Sequence, residues 1–405
     1  MICGGGVAGL SAAALLGKQG MAVLVVEKQQ QNRMVHKGEL LQPGSLQILH
    51  RAGLLTPLQR AGAREVTALA CSTARGNDLV SLDYRLLEGT FRHGLAQSYR
   101  DMLDTLAAHL GPGVSVWRRA RAHRLLYGDA GRVSGVVVER DGGPVSVRAK
   151  ITVASDGYGS RLREAAGISA AQREYDHQFV GFEIEEAPAL GSQMNAYLTR
   201  HGIRALFELP GRRARLYVQI PSGAFRGIGR AGLPAWTDAL LRATPALDQV
   251  AGPLRASLGG VQVLSAGRFV APRWTRPGFA LIGDAAHRVH PMVGQGMNAA
   301  ITDASELADA LAGLPAFTAA QADLALLRYE RERRRQVDYV ARLSHTMALL
   351  LTSSSWMGSA FMPGLLRRNQ GNLRVRRRLT ENMSGLSPQP LTLWEWASVL
   401  GGARR

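Results

Sequence analysis

The sequence predicts an α/β fold in which a glycine-rich strand–helix–strand unit opens the chain, a mostly antiparallel sheet is inserted, and helices follow. Three observations carry this. Gly4, Gly6 and Gly9 form a G-x-G-x-x-G run at the very start, ahead of a helical stretch, Leu10–Gln19, and an apolar run, Ala22–Val26. Between residues 178 and 268 the pattern shifts to short strands punctuated by Pro210-Gly211 and Pro221-Ser222-Gly223. A further glycine-containing run, Ile282-Gly283-Asp284-Ala285-Ala286-His287, then reads as the end of another strand.

In chain order, the first glycine run is the turn of a Rossmann-type unit. Gly4 permits the turn, Gly6 lets phosphates approach the backbone, Gly9 lets helix and strand pack closely, and the helix N-terminus faces the anion. Glu27 ends the second strand, 18 positions after Gly9, where an acidic side chain accepts from ribose hydroxyls. Almost nothing precedes Gly4, so either the first strand is unusually short or the start codon is misassigned. Residues 36–62 read as helical after a loop, with Leu46, Ile48, Leu49 and Leu54 as apolar positions. Tyr99–Leu110 has helical apolar spacing and stops at Gly111-Pro112-Gly113. Val114–Trp117, Arg132–Glu139 and Val145–Val153 read as strands, with a hairpin turn at Asp141-Gly142-Gly143. Phe179–Ile184, Ala205–Leu209, Arg215–Ile220 and Gly260–Ala266 supply the inserted sheet. Phe279–Ile282 is a strand, and Asn298–Leu314 and Leu326–Leu351 are helices, the second with a charged start from Arg328 to Arg335. The expected division is a nucleotide domain in two parts, 1–177 and 269–335, a substrate-binding sheet domain, 178–268, and a C-terminal helical region, 336–405.

The 405 residues, 46% of them hydrophobic, suffice for two or three subdomains around a large core. Two cysteines, Cys3 and Cys71, are too few for a disulfide framework, so a reducing, cytoplasmic compartment is expected. There is no signal-peptide pattern and no run of about 20 apolar residues. The net charge is +18, and since Lys18, Lys28, Lys37 and Lys150 are the lysines, arginine carries nearly all of the positive charge. Two readings stay open: the composition of a GC-rich genome, or a surface that attracts acidic carrier proteins or anionic lipid. Nucleic acid is not an expected partner, because no binding module accompanies the charge.

Three motifs in order resemble the FAD-dependent aromatic hydroxylases, the class that includes p-hydroxybenzoate hydroxylase. They are the glycine turn with Glu27, the run Ala154-Ser155-Asp156-Gly157 through Arg161 and Arg163, and Gly283-Asp284-Ala285-Ala286-His287 continuing through Pro291 and Gly294-Gln295-Gly296-Met297-Asn298 to Asp303. Lys37–Gly44 and His290-Pro291 look like the squalene epoxidases and the quinolone-modifying flavin monooxygenases. The resemblance implies FAD, with NAD(P)H as cosubstrate and no second nucleotide turn for it. It places Asp284 on the ribityl chain, where a carboxylate can accept from two hydroxyls. It places Pro291, Gly294, Gly296, Met297 and Asn298 in a glycine loop whose amides and helix end face the flavin pyrimidine. Arg100, in Tyr99-Arg100-Asp101-Met102-Leu103, would reach the FAD phosphates, and Asp156 would touch both FAD and the nicotinamide. Glu39 and Gln42 lie where the family has residues near the flavin edge; a loop before a helix cap at Ser45 is the alternative. His287 and His290 do not read as metal ligands, because no third ligand stands at a sensible spacing, and no metal is expected.

The implied activity is monooxygenation: NAD(P)H, O₂ and FAD hydroxylate an aromatic, polyketide or quinone-type substrate through a flavin hydroperoxide, in a largely apolar pocket supplied by the inserted sheet. No catalytic residue can be named; Tyr197, Tyr217, His201 and Arg204 in that segment read as structural. Two readings stay beside it: an epoxidase or N-hydroxylase of a prenylated or lipidic substrate, and a flavin-binding protein without hydroxylase turnover. Halogenases share the fold but their W-x-W-x-I-P signature is missing, whereas isoprenoid reductases are not excluded. Finally, Met347–Met362 is mostly apolar or small and precedes Arg367, Arg368, Arg374, Arg376, Arg377 and Arg378. That pairing suits a helix lying on the inner face of a membrane, or a helix packed on the nucleotide domain with solvated arginines.

Overall fold

The computed structural model of the chain describes residues 1–312, 314, 317–352, 356–386, 392 and 395. Strand Ile2–Cys3 has two residues, yet it lies inside a six-stranded sheet. Ile2 pairs with Val25 on one side and Val153 on the other, and Cys3 with Val26 and Ala154. Such a short strand holds because the backbone continues the ladder at both ends. The Met1 amine donates to the Ile151 carbonyl at 2.9 Å, and Gly4 N–H to the Val26 carbonyl at 2.8 Å. The sheet runs Thr275–Arg276, Phe279–Leu281, Thr152–Ala154, Ile2–Cys3, Val23–Val26, Val114–Trp117, parallel except for its first pair. Helices Val7–Lys18 and Gln295–Ala312 pack together, and both contribute to the core under this sheet.

The second large sheet has eight strands. Their order is His287–Arg288, Gln262–Val270, Arg173–Ile184, Arg213–Pro221, Gly202–Leu209, Gln193–Thr199, Ala68–Thr73, Asp78–Asp83. All pairs are antiparallel except Gln193–Thr199 with Ala68–Thr73. Side chains alternate between its faces. Val180, Phe182, Ile184, Leu206, Leu216 and Val218 pack against Leu233, Leu240 and Leu254 of two covering helices, Gly229–Ala243 and Ala251–Ala256. Phe179, Gly181, Glu183, Tyr217, Arg215 and Arg213 occupy the opposite face, from which Arg215 reaches Glu39 just before strand Leu40–Leu41. The sheet therefore draws strands from residues 68–83 and 287–288 as well as from the segment 178–268.

Several elements differ from the sequence reading. The helix expected over 36–62 begins only at Pro43 and is interrupted at Gly53, giving Pro43–Ala52 and Leu55–Arg60. Proline restricts the residue before it to extended backbone, so Gln42 cannot be helical, and Leu40–Leu41 pairs with Gly94–Ala96 instead. The run read as one strand, Val145–Val153, is two: Gly143–Arg148 closes the hairpin on Val133–Arg140, and Thr152–Ala154 enters the six-stranded sheet. The helix read from Asn298 starts at Gln295, and the long helix read from Leu326 spans Ala319–Thr352.

Helices Trp356–Gln370 and Leu373–Ser384 lie on strand Asp78–Asp83. The side chains of Trp356, Met357 and Phe361, offered above for lipid contact, lie outside the described residues. Arg376 Nε donates to the Ser81 carbonyl at 2.9 Å, and Arg377 and Arg378 pair with Glu381 at 3.1 and 3.2 Å. Among the described residues no helix is long and apolar enough to cross a membrane.

Candidate cofactor and substrate site

The site begins at the N-terminus of helix Val7–Lys18. Its N-cap, Gly6, offers no side-chain acceptor, so no cap side chain takes up the amides of the first turn. A Cβ on Gly6 would meet only the Tyr99 hydroxyl, at 3.6 Å, whereas one on Gly9 would sit 2.0 Å from the Gly4 carbonyl oxygen. Gly9 is thus required for packing and Gly6 for an open approach. Gly4 has φ +120°, and a Cβ there would strike the Ser155 carbonyl oxygen at 2.3 Å. Glu27 accepts from Gly5 N–H at 2.7 Å and Gln29 N–H at 2.8 Å, which fixes its carboxylate beside the turn.

Asp284 reaches the same place from another strand. Gly283, at φ +59°, fits between Ala8 and Ala300; a Cβ there would lie 2.9 and 3.2 Å from their Cβ atoms. Gly283-Asp284 is thus held against the first turn of helix Val7–Lys18, at Ala8, and against the second turn of helix Gln295–Ala312, at Ala300. The Asp284 side chain is 37% exposed, and Lys37 Nζ lies 3.8 Å away. The turn is anchored from beneath by Asp303, which accepts from Gly283 N–H at 2.8 Å, His287 Nε2 at 2.7 Å and Arg333 Nε at 2.8 Å. Against the upward push of burial, His287 and Arg333 hold the Asp303 carboxyl down to about 2.

The remaining expected residues divide by role. Gly294 is left-handed, at φ +60°, and Gln295, Gly296 and Met297 form the first helical turn rather than a loop. Pro291 opens the short turn before it, capped by His290. Asn298 is buried, with all its polar capacity used by protein: Oδ1 accepts from Gln42 N–H and Ser45 Oγ at 2.8 and 2.7 Å, and Nδ2 donates to the Leu40 and Gly294 carbonyls at 3.0 and 2.8 Å. It clamps segment 40–45 to the helix start. Asp156 is likewise turned inward. It accepts from Ser160 Oγ and from Leu162 N–H, and burial raises its carboxyl above the ordinary range. Arg163, in the same motif, donates to the Ala285 carbonyl at 2.9 Å, which ties the motif to Asp284. Arg100 lies in the first turn of helix Tyr99–Ala108, 41% exposed and 3.7 Å from Asp104.

Three further side chains stand at the site: Tyr99, Lys37 and Gln42, the last of them expected near the flavin edge. Tyr99 lies beside Gly6, and burial, with Asp284 nearby, pushes its hydroxyl to about 12. Lys37 pairs with Asp284, and Asp303 supports it from below. Gln42 is fully buried; its Oε1 accepts from the Tyr84 hydroxyl, while its Nε2 has no partner and lies near Gly294. A helix-start tyrosine carries no local signal for such a role; only the crossing of segments places it.

Glu39 is also fully buried, bound by Arg215 Nε and Nη2 at 2.8 and 2.7 Å and by the Tyr217 hydroxyl at 2.6 Å. Arg215 reaches on to Glu183 at 2.7 Å, and Arg213 joins Glu183 to Asp101 at 3.2 and 3.0 Å. These ion pairs link the inserted sheet to the segment before strand Leu40–Leu41 and to helix Tyr99–Ala108. His290 makes a second link. Its Nδ1 accepts from Met292 N–H at 3.1 Å, so its Nε2 carries the proton and donates to His177 Nε2 at 2.8 Å. His177 Nδ1 then donates to Asp176 at 3.1 Å. Burial, then His177, His345 and Arg288, lower His290 to about 3. Among the described residues no group of three His, Cys, Asp or Glu side chains is arranged to hold a metal ion.

The residues present fit a flavin dinucleotide. Gly6 leaves a cradle, a half-exposed carboxylate, Asp284, follows a glycine packed on Ala8 and Ala300, and a buried amide donor without a partner stands by Gly294. Comparison with known proteins agrees. The family profile described as FAD binding domain matches residues 1–344. The chain is 29% identical over 317 residues to 6-methylpretetramide 4-monooxygenase of Streptomyces rimosus, covering 75% of this chain and 72% of that enzyme. It is 26% identical over 320 residues to squalene epoxidase of Schizosaccharomyces pombe, covering 75% and 67%. The crystal structure of p-nitrophenol 4-monooxygenase from Pseudomonas putida superposes with a TM-score of 0.82 over 96% of this chain and 98% of that one, at 20% identity, a likeness of fold.

Proposed function

Since the chain belongs to the FAD-binding-domain family, we propose that it is an FAD-dependent monooxygenase that uses NAD(P)H and O₂ to hydroxylate an aromatic or polyketide-type substrate. The observation that carries this is Asp284, whose neighbour Gly283 packs on Ala8 at the start of helix Val7–Lys18 and on Ala300 of helix Gln295–Ala312, with Gly6 open at the first helix's N-terminus. FAD, when bound, supplies the acceptance of a hydride and the activation of O₂. The chain supplies the rest. Amides after Gly6 hold the diphosphate, and Asp284 accepts from ribityl hydroxyls, exchanging Lys37 for them. The Gln295–Met297 amides and the helix end favour negative charge on the reduced ring. Gln42 Nε2 is a donor held ready by Tyr84.

Water exclusion falls to the inserted sheet. Its inner face offers Leu69, Met194, Ala196, Ala205, Phe207 and Leu264, and helix Ala319–Thr352 covers strands Gly202–Leu209 and Gln262–Val270. An apolar lining suits an aromatic substrate and protects a water-sensitive oxidant. The relative from Streptomyces is named for an aromatic polyketide substrate, which supports the same class here.

The test is reconstitution with FAD, followed by NAD(P)H oxidation across phenols, quinolones and polyprenyl compounds. One substrate should accelerate oxidation and gain one oxygen atom by mass spectrometry. Asp284→Ala should weaken FAD binding by about 1.5–3 kcal/mol, read by flavin fluorescence, with the fold retained. A colourless protein that FAD does not reconstitute would sink the reading, and acceleration by polyprenyl compounds alone would move it to the epoxidase class. Peripheral contact with anionic lipid belongs to this proposal too, supported by exposed Leu373 beside exposed Arg367 and Arg374 and by the net charge of +18. Salt-sensitive binding to phosphatidylserine vesicles, lost on deleting 347–405, is expected; no binding at low salt would remove it.

A further inference from the structure

We propose that a pocket at the end of the six-stranded sheet opposite the cofactor turn binds a small organic anion with an apolar body. The pocket has a volume of about 500 Å³, within the range of small-molecule sites. It lies between the hairpin strands Val133–Arg140 and Gly143–Arg148 and the start of helix Ala319–Thr352. Arg132, Arg148 and Lys150 bring three cations to its wall, and Phe317, Ala319 and Ala322 bring apolar surface. None of them is among the residues gathered around Gly6 and Asp284. Lys150 stands just before strand Thr152–Ala154, which leads on to Asp156. Gly278 stands just before the parallel strand Phe279–Leu281, which leads on to Asp284. The pocket therefore lies at the entry end of strands whose exit ends carry Asp156 and Asp284.

Each cation is held in place. Arg132 Nη1 donates to the Val133 and Lys150 carbonyls at 3.2 and 3.1 Å, and Nη2 pairs with Asp323 at 3.0 Å. Its Nε is buried and has no hydrogen-bond partner among the described residues. Arg148 Nη1 donates to Ser134 Oγ at 3.1 Å, which fixes the guanidinium at the rim. The Lys150 ammonium lies 5.4 Å from the centre of the Phe317 ring, a cation–π distance. Thr318 Oγ1 already accepts from Gln321 N–H at 3.3 Å, so recognition falls to the basic side chains rather than to the helix start.

Charge and lining together define the ligand. Asp323 is committed to Arg132 and to Gly278 N–H, at 2.8 Å. Among the described residues Arg148 and Lys150 have no carboxylate partner, so two positive charges at this cavity are left uncompensated. An anion seated between them gains charge-assisted contacts. An inorganic anion would leave the apolar wall wet, whereas one carrying an aromatic or aliphatic body also covers Phe317, Ala319 and Ala322. The net charge of +18 attracts anions to the whole surface; the pocket adds apolar contact at one place.

The chain has four lysines, Lys18, Lys28, Lys37 and Lys150, so acetylation by acetic anhydride can be followed at each by peptide mass spectrometry. Lys150 is exposed, and the reagent reaches it. The probe is 2-naphthyl phosphate, added to the full chain with excess FAD so that the cofactor site is not free to take it. It should slow acetylation at Lys150 and leave Lys18 and Lys28 unchanged. At the same concentration 2-naphthol, which lacks the charge, and inorganic phosphate, which lacks the apolar body, should protect little. Arg148→Ala should raise the concentration needed about tenfold. Phe317→Ala should remove the advantage of naphthyl phosphate over phosphate. FAD uptake by both variants should match wild type. No protection of Lys150, equal protection of Lys18 and Lys28, equal protection by inorganic phosphate, or protection undiminished in Arg148→Ala overturns the inference.

Discussion

Asp303 is fully buried and receives three donors from three separate elements, so much of the site geometry depends on one carboxylate. Its folded value of about 2 lies below the ordinary 3.8. A depressed carboxyl stabilises the fold above the unfolded value, and that contribution is lost as pH falls through the folded one. Asp303 should therefore contribute ~2 kcal/mol above pH 4 and lose it between about 4 and 2. Asp303→Asn leaves Arg333, 3% exposed, without its counter-charge. It should cost about 3–5 kcal/mol in urea unfolding and displace Asp284, so FAD affinity falls as well. A variant with unchanged unfolding midpoint and FAD affinity would show that the anchor is dispensable.

At the scale of elements, the turn His290–Met292 joins the nucleotide domain to the inserted sheet through one His–His hydrogen bond. Both nitrogens of His290 are engaged, one as acceptor and one as donor. Adding a proton to either ring must break the Met292 cap or the pair. His290 at about 3 and His36 at about 4 both lie below their ordinary 6.5. The unfolded chain takes up these protons first, so stability should begin to fall below about pH 6.5, ahead of the carboxylate range, and level off near the folded values. His290→Asn should flatten part of that slope in thermal melts across pH 4–7. An identical slope in the variant would place the acid sensitivity elsewhere.

For the whole molecule, the line Glu39–Arg215–Glu183–Arg213–Asp101 ties the inserted sheet to the Leu40–Leu41 segment and to helix Tyr99–Ala108. Buried ion pairs add little net stability when intact, because desolvation offsets attraction, yet breaking one is costly. Arg215→Met should destabilise by about 3–5 kcal/mol, whereas Arg213→Met, partly exposed, should cost about 1. Chemical denaturation of both variants measures this. Equal small costs would mean that water enters the seam and relieves Glu39. The C-terminal helices complete the molecule by docking on strand Asp78–Asp83, with arginines turned onto Ser81 and Glu381.

What the sequence determined by itself was whatever is local. The turn at Gly4–Gly9, the hairpin at Asp141–Gly143 and the strand end at Gly283-Asp284 follow from backbone sterics and short-range pattern, which neighbours in the chain impose. The short apolar runs Phe179–Ile184 and Arg215–Ile220, set off by Pro-Gly turns, announced strands of an antiparallel sheet in the same way. Tertiary structure alone decided which side chains meet. The Val145–Val153 run divides between two sheets because its two halves find different partners. Strands Ala68–Thr73 and Asp78–Asp83 join a sheet begun a hundred residues later, through pairing that no local pattern encodes. Arg333 reads as one more charge on a solvated helix start and is instead buried against Asp303, 30 residues upstream. The Asn298 side chain is bonded to segment 40–45 and to the Gly294 carbonyl, and Tyr99 comes beside Gly6 from a separate helix. A side chain's type fixes what it can bond; only the chain crossing beside it fixes what it does bond.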